Sequence, residues 1–158
     1  MPIALPYGEP MACVFCDIVA GAAPAVRIYE DNDYLAFLDI RPFTRGHTLV
    51  IPKQHFVDLT DTPPGVVAGM ATVGQHIAQA SRESGLHADG NNIAINDGKA
   101  AFQSVFHIHL HVVPRRTGDK LNFLKGMLVR RDPDREASGK ILRQAVARLG
   151  DPQADSNP

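Results

Sequence analysis

Three histidines in strict alternation constrain this chain more than any other feature. The stretch FHIHLHVV, residues 106–113, places His107, His109 and His111 at every second position, with apolar residues in the gaps. Successive side chains of a β-strand point to opposite faces, so the imidazoles share one face and the apolar side chains share the other. Lined-up imidazoles repel one another when protonated and lack partners when neutral. The pattern therefore predicts a strand over VFHIHLHVVP with one face in a core and the other serving a site.

The remaining strand patterns predict an α+β fold on a mainly antiparallel sheet. VRIYED and YLAFLDI are separated by a polar segment, which indicates a hairpin of two half-buried strands. GHTLVIP and NNIAIND indicate two further strands. Strands dominate the centre of the chain while helical patterns are few and separated, which favours this fold over alternating βαβ units.

Two helices are predicted from apolar residues that recur at helical spacing. The first lies within residues 62–85, with Thr62 as its cap. The second runs over about residues 133–149, with Asp132 as its cap. Between the last strand and this helix, residues 116–131 are rich in Arg and Lys and are predicted to form a solvated loop, although their basic residues could instead select a leaving group.

Length and composition predict one domain without a membrane segment. The chain has 158 residues, of which 44% are hydrophobic, enough for a single core. We expect an extended arm over residues 1–12, the domain over 13–150 and a disordered tail over 151–158. A formal charge of −1 argues against nucleic acid or an acidic membrane surface as a partner. No apolar run approaches a membrane span of roughly 20 residues, and the first residues do not resemble a signal peptide, so a cytoplasmic location is expected.

The residues around the triad leave two kinds of chemistry open. A His-x-His pattern suits a metal site, and imidazole also suits nucleophilic or acid–base work. Gln103 and Ser104 precede the triad and supply an amide and a hydroxyl, while backbone N–H groups of a turn can bind an anion, which together indicate a phosphate ligand. Cys13 and Cys16 have the C-x-x-C spacing of half a metal site.

The sequence QSVFHIHLHVVPR resembles the histidine triad (HIT) family, whose motif is three histidines alternating with apolar residues. Residues 13–55 are similar to the amino-terminal half of bacterial members of the Hint-like branch, with LDI, GHTLVIPK and a later N-D-G in the expected order. The resemblance covers roughly residues 13–115. It implies a HIT-like fold with a sheet of about five strands, a central helix and a C-terminal helix, and it implies a homodimer.

The resemblance also implies an activity. The protein is expected to hydrolyse, or transfer the nucleotidyl group of, purine nucleoside 5′-phosphoramidates and related AMP conjugates, without a magnesium requirement. His109 is then the nucleophile and forms a nucleotidyl-histidine intermediate. A backbone carbonyl or His47 would hold the proton on its other ring nitrogen. His111 would contact the phosphate or protonate the leaving group, and His107 completes the catalytic set.

The residues expected to bind a purine nucleotide such as AMP follow from the same resemblance. Asp39 would accept hydrogen bonds from the ribose hydroxyls. Asn96 would contact the phosphate region, and Gln103 and Ser104 would bind nonbridging oxygens. The purine slot would be formed by five apolar residues: Phe15, Ile18, Phe37, Leu38 and Ile40.

The resemblance also implies a zinc site, and the chain differs from the family pattern at one position. In zinc-bearing bacterial members the ligands correspond to Cys13, Cys16, His55 and His107, a donor set that suits a closed tetrahedral structural site. Where Hint-like members usually have glycine before the Gln, this chain has Phe102. A glycine there would let the backbone approach the phosphate closely, so its replacement leaves open whether the loop geometry and the leaving-group preference of the family hold for this chain.

Three alternatives remain open from the sequence. The substrate could be a dinucleoside polyphosphate instead of a phosphoramidate. The protein could be a nucleotide-binding or partner-binding module with weak chemistry, an alternative that Phe102 keeps open. The histidine triad could itself be a catalytic metal centre.

Overall fold

A five-stranded antiparallel sheet forms the centre of the protein in the computed structural model, which describes residues 12–152 and 154. The strand order is β1-β2-β3-β5-β4. The α+β fold, with its antiparallel sheet of five strands, is confirmed. The strands are β1 (Arg27–Glu30), β2 (Tyr34–Leu38), β3 (Thr48–Pro52), β4 (Gly90–Ile95) and β5 (Leu110–Arg115).

The two helices predicted from periodicity are confirmed, but their first residues differ. The described part of the chain contains α1 (Val14–Ala20), α2 (Pro64–Glu83), α3 (Lys120–Val129) and α4 (Arg135–Leu149). The prediction that Thr62 caps α2 is wrong, because its hydroxyl donates to the Asp58 carbonyl and the cap position is Pro63. The prediction that Asp132 caps α4 is also wrong, because the carboxylate of Asp134 accepts the capping hydrogen bond.

The prediction of a solvated loop over residues 116–131 is wrong, because α3 lies within it. None of the helical residues of α3 is buried, so the segment has no apolar stripe against a core and periodicity could not reveal it. Gly126 lies so close to Phe43 that a Cβ there would overlap the Phe43 carbonyl oxygen. This contact holds α3 against the segment between β2 and β3.

The two faces of the sheet have different coverings. Helices α2 and α4 pack on one face, and α1 packs on the other. Alternation along β2 divides its side chains, with Ala36 and Leu38 on the α2 side and Leu35 and Phe37 on the α1 side. The α1 side contains a smaller cluster of buried residues: Phe15, Ile18, Leu35, Phe37, Leu49 and Ile51.

The strand register places the last triad histidine next to this smaller cluster. Phe37 pairs with Leu49, Leu49 pairs with His111, and His111 pairs with Ala94. Cross-strand partners face the same side of a sheet, so the His111 imidazole shares a face with Phe37 and Leu49. The predicted strand over VFHIHLHVVP is shorter in the structure, since β5 begins at Leu110.

Two further predictions concern the terminal segments and the absence of a membrane-spanning helix. The expected arm and tail fall largely on residues 1–11, 153 and 155–158, which lie outside the described residues. Across residues 12–152, none of the helices combines the length and apolar character that crossing a bilayer requires.

Candidate active site

The three triad histidines reach two different sites. His109 and His111 line a cavity of about 520 Å³ on the α1 side of the sheet. His107 is fully buried and does not line this cavity; its Nδ1 atom faces Cys13 and Cys16 instead. The alternation predicted the shared sheet face, and the family resemblance predicted the division, with His107 among the zinc ligands and His109 and His111 at the phosphate.

The cavity joins an apolar slot to a polar rim. All five residues expected to form a purine slot line it: Phe15, Ile18, Phe37, Leu38 and Ile40. The Phe15 ring meets the Phe37 ring edge-on at 5.3 Å between centroids and meets the His109 ring at the same distance. An aromatic slot therefore ends directly at the imidazole of the middle histidine. Asp39, Asn96 and Ser104 also line the cavity.

The proton of His109 has a defined position. The His109 Nδ1–H donates to the His107 carbonyl oxygen at 2.8 Å, so the neutral ring carries no proton on Nε2. Burial lowers the pKa of His109, while the hydrogen bond to the carbonyl and the Asp39 charge oppose this shift. A neutral imidazole with an unprotonated Nε2 can act as a nucleophile. The backbone carbonyl, not His47, is the proton acceptor.

A chain of hydrogen bonds defines the protons of the other two imidazoles. The Phe43 backbone N–H donates to His47 Nδ1 at 3.0 Å, so the neutral His47 ring carries its proton on Nε2. This Nε2–H donates to His111 Nδ1 at 2.9 Å, so His111 in turn carries its proton on Nε2. Burial lowers the pKa of His47 to about 4 and that of His111 to about 3, so both rings are neutral near pH 7.

The series of hydrogen bonds from Phe43 through His47 to His111 ends in a donor without an acceptor. His111 Nε2 is buried, and it has no hydrogen-bond partner among the residues that the structure describes. A buried N–H without an acceptor is costly, so the site is arranged for a ligand that accepts from it. The Asp39 carboxylate lies 3.7 Å from His47 Nε2, which places a negative charge beside the same chain. His47 itself does not line the cavity and contacts it through His111.

Gln103 is the predicted binding residue that the structure does not bring into the cavity. Its side-chain nitrogen donates to the carbonyls of Val57 and Val105, and its side-chain oxygen accepts from the Gly98 backbone N–H. Every polar group of the amide therefore holds the loop that presents Ser104. The amide therefore stabilises this loop, and its N–H groups are not free to donate to a ligand.

Phe102 adopts a backbone conformation that glycine favours. Its φ is 67° and its ψ is 23°, in the left-handed region. For a residue with a side chain this conformation costs roughly 1–2 kcal/mol. The side chain lies at the mouth of the cavity and is 87% exposed. The loop thus keeps the backbone shape expected for the usual glycine, at the cost of local strain.

The cavity residues that were not identified from the sequence include Phe43, Leu49 and Arg130. Leu49 lies in a predicted strand, and its alternation with the neighbouring residues could have indicated its face. Phe43 stacks on His47 with 5.2 Å between ring centroids, a contact for which the sequence contains no signal. Arg130 follows α3, which was itself not predicted.

The second site is a compact group of two cysteines and two histidines. Cys13, Cys16, His55 and His107 each offer one ligand atom, and these atoms all lie within 4.8 Å of one another. Cys13 Sγ lies 3.5 Å from His107 Nδ1, and Cys16 Sγ lies 3.3 Å from His55 Nδ1. Tetrahedral ligands at roughly 2.0–2.3 Å from zinc are separated by similar distances, so the group can hold a zinc ion.

The outer contacts of this group orient its donors. His107 Nε2–H donates to the Pro52 carbonyl at 2.8 Å, which leaves the Nδ1 lone pair facing the two sulfur atoms. The Cys16 backbone N–H donates to Cys13 Sγ at 3.4 Å across the first turn of α1. Metal-binding histidines commonly use a carbonyl partner in this way. The orientation of the His107 ring suits metal binding, and two thiolates with two neutral imidazoles would neutralise the charge of a zinc ion.

Comparison with known proteins agrees with this geometry. Residues 20–118 match the model of the HIT domain family. A crystal structure of a zinc-bound histidine triad family protein from Mycobacterium smegmatis superposes with a TM-score of 0.82 at 76% identity, covering 88% of this chain and 96% of that one. An adenylylsulfatase of Arabidopsis thaliana is 42% identical over 69% of this chain and 55% of its own length.

A third relative is an adenosine 5′-monophosphoramidase of Saccharomyces cerevisiae, 33% identical over 87% of this chain and 83% of its own length. The named activities of these two relatives are reactions of adenine nucleotides. The domain match covers most of the chain and contains the whole triad. The chain therefore belongs to the histidine triad family.

Proposed function

We propose that this protein hydrolyses purine nucleoside 5′-phosphate conjugates, AMP-X, through a nucleotidyl intermediate on His109. The single observation behind this proposal is the position of the His109 proton. With Nδ1–H donated to the His107 carbonyl, Nε2 is free to attack phosphorus from the wall of a cavity that also contains Asp39 and Ser104. The names of the yeast and plant relatives support AMP conjugates as the substrate class.

The residues divide the work of the reaction. The apolar slot holds the base and Asp39 accepts hydrogen bonds from the ribose hydroxyls. His109 Nε2 forms a bond to phosphorus as the bond from phosphorus to X breaks, and X leaves with the electron pair; an amine also takes the proton of His111 Nε2–H, which a proton of the attacking water then replaces. Water then attacks phosphorus, the P–N bond breaks, and AMP and free imidazole are produced.

Uncharged hydrogen-bond donors stabilise the negative charge on the phosphoryl oxygens. His111 Nε2–H, buried and without an acceptor, donates to a phosphoryl oxygen or to the leaving atom. Ser104 and Asn96 supply a hydroxyl and an amide to the same group. Each such donor contributes about 2–4 kcal/mol of barrier lowering in comparable oxyanion sites. These interactions strengthen as the transition state forms, which is why they accelerate the reaction.

The test is turnover and trapping at His109. Adenosine 5′-phosphoramidate is incubated with wild-type protein and with His109→Ala, using His87→Asn, a change at an exposed histidine outside the cavity, as the control. We expect His87→Asn to retain turnover, His109→Ala to lose it, and rapid quenching of the wild type to give a protein mass increased by one adenylyl group. Turnover by folded His109→Ala would refute the assignment of the nucleophile.

The same assay separates the alternatives. A dinucleoside polyphosphate measured side by side distinguishes the second substrate class. Absence of both turnover and adduct would favour a binding module. Loss of activity on complete chelation, with the protein still folded, would favour a metal-based reaction at the triad.

We also propose that Cys13, Cys16, His55 and His107 bind a structural zinc ion. When bound, zinc cross-links α1 to the segments that contain His55 and His107. The spacing of the four ligand atoms and the zinc-bound mycobacterial relative support this assignment. Elemental analysis of gently purified protein is expected to give about one zinc per chain, and clean protein without zinc would refute it.

We infer a cytoplasmic homodimer from the family resemblance. Light scattering is expected to give twice the chain mass of 17.1 kDa. A monomer at micromolar concentration would contradict the inferred dimer.

A further inference from the structure

The end of α3 places one arginine at the nucleotide cavity. Arg130 follows the last helical residue in a left-handed conformation, with φ 41°, and its backbone N–H donates to the Gly126 carbonyl at 2.8 Å. This turn directs the chain back toward the segment between β2 and β3. The Arg130 side chain then lines the same cavity as His109 and His111.

Two contacts hold the guanidinium group in place. Its carbon atom lies 4.2 Å from the centroid of the Phe43 ring, and its Nε–H donates to the Arg41 carbonyl at 3.1 Å. Phe43 is itself held by the stacked His47 ring and by Gly126, which admits no side chain. A cation fixed in this way loses little further conformational freedom when it binds a ligand.

The charge of Arg130 is not neutralised by its neighbours. Among residues 12–152 no carboxylate forms an ion pair with it, and its two terminal nitrogens have no hydrogen-bond partner there. The positive charge contributes to the lowered pKa values of His47 and His111, which places it within electrostatic reach of both rings. A guanidinium with both terminal nitrogens free matches the paired oxygens of a phosphate, sulfate or carboxylate.

We propose that Arg130 determines specificity by binding a second anionic group of the substrate, beside the phosphoryl group that His109 attacks. This inference rests on the proposed function. Ser104, Asn96 and His111 line the cavity as the proposed donors to the phosphoryl group, so Arg130 remains for an additional anion. That anion is either the leaving group, such as a sulfate or phosphate, or a phosphate on the ribose.

The reaction with an anionic leaving group balances without another reactant. His109 Nε2 forms its bond to phosphorus as the P–O bond to sulfate breaks, and sulfate leaves with the electron pair. Water then cleaves the P–N bond and yields AMP and protons. Arg130 holds the sulfate oxygens before and during departure.

The experiment compares two leaving groups in matched variants. Values of kcat/KM for adenosine 5′-phosphosulfate and adenosine 5′-phosphoramidate are measured for wild type, Arg130→Gln, Arg130→Lys and Arg131→Gln. Arg131 is the control because it is an exposed neighbour that does not line the nucleotide cavity. We expect Arg130→Gln to lower the value for the phosphosulfate by about 10- to 100-fold and that for the phosphoramidate by less than about threefold.

The other variants give a graded result. Arg130→Lys keeps the charge but not the paired donors, so an intermediate loss is expected. Arg131→Gln should leave both substrates unchanged. An equal loss on both substrates in Arg130→Gln would mean that Arg130 only holds α3 in place, and it would overturn the proposal. No loss on either substrate would exclude the leaving group as the anion, and it would overturn the whole proposal if Arg130 also gives no preference for a ribose phosphate in the binding measurements below.

Binding measurements keep the inference testable if hydrolysis fails. In a His109→Ala background, calorimetry compares the phosphosulfate with the phosphoramidate, and adenosine 3′,5′-bisphosphate with AMP. If the protein prefers the phosphosulfate over the phosphoramidate and this preference disappears in Arg130→Gln, the anion is the leaving group. If it prefers the 3′,5′-bisphosphate over AMP and this preference disappears, the anion is on the ribose. Affinities that change equally for all four ligands, or not at all, would overturn the proposal. Failure of the proposed function alone would abolish turnover in wild type but leave these preferences intact.

Discussion

Replacing His47 tests the hydrogen-bond chain that places a proton on His111. His47 is completely buried, accepts from the Phe43 N–H and donates to His111 Nδ1. His47→Leu removes both functions at similar volume. His47→Gln is the matched variant, because its amide oxygen can accept and its amide nitrogen can donate in the same two directions.

The expected size of the effect follows from these contacts. In His47→Leu two polar groups lose their partners, at about 1–3 kcal/mol each, so the free energy of unfolding should fall by roughly 2–6 kcal/mol. The Asp39 carboxylate, which lies within 4.8 Å of a His111 ring nitrogen, is then the acceptor that remains nearby, so the His111 ring can recover part of this loss by moving its proton to Nδ1. It then presents a bare Nε2 to the substrate, and losing one such donor costs about 10²- to 10³-fold in kcat.

The assays are kinetics and histidine NMR. We expect His47→Leu to lose about 10²- to 10³-fold in kcat on adenosine 5′-phosphoramidate, whereas His47→Gln stays within about tenfold of wild type. Nitrogen-15 spectra should show His111 protonated on Nε2 in wild type and His47→Gln, and on Nδ1 in His47→Leu. The reasoning is refuted if folded His47→Leu keeps wild-type kcat, or if wild-type His111 carries its proton on Nδ1.

Three further predictions concern stability. Cys16→Ser should remove zinc from purified protein and lower the unfolding temperature, since metal-binding energy is folding energy at such sites; zinc retained at one per chain would contradict the ligand assignment. Phe102→Gly should raise the free energy of unfolding by about 0.5–1 kcal/mol by relieving its left-handed strain, whereas Phe102→Ala, which keeps a Cβ, should gain nothing; denaturant unfolding distinguishes the two. His76 is buried against Tyr29, and the Asp151 charge lies near it. Burial lowers the pKa of His76 below its usual 6.5. As pH falls below 6.5 the unfolded chain therefore binds the proton first, and the free energy of unfolding decreases. His76→Phe should therefore reduce the loss of stability between pH 7 and pH 5, by up to about 1.4 kcal/mol per pH unit, and an unchanged slope would contradict this.

Local patterns were sufficient to predict the sheet and its two long helices. Residues 34–38 and 48–52 are buried strands with strong apolar character, and α2 repeats its buried residues at helical spacing. Helices α1 and α3 were missed, each for a different reason. The first spans only seven residues, and the second has no buried side chain. A pattern of burial can be read from a sequence only where burial extends over several turns.

Most of the proposed nucleotide residues were also accessible to sequence reasoning. The purine-slot residues and Asp39, Asn96 and Ser104 all line the cavity. Gln103 was expected beside them, but its amide is consumed by three hydrogen bonds, two within its own loop and one to the Val57 carbonyl. Which polar side chain faces a ligand depends on whether neighbouring backbone groups already satisfy it, and those neighbours include Val57, which is distant in sequence.

The sequence by itself determined that three imidazoles share a face, because the alternation of side chains along a strand is a local property of the backbone. Only the tertiary structure decided which nitrogen of each imidazole carries the proton. The proton of His109 is placed by a nearby carbonyl, but those of His107 and His111 are placed by Pro52 and His47, more than fifty residues away along the chain. Arg130 reaches the cavity only because α3 packs against Phe43. The positions of protons and charges depend on partners that folding brings together, and such partners leave no periodic signal in the sequence.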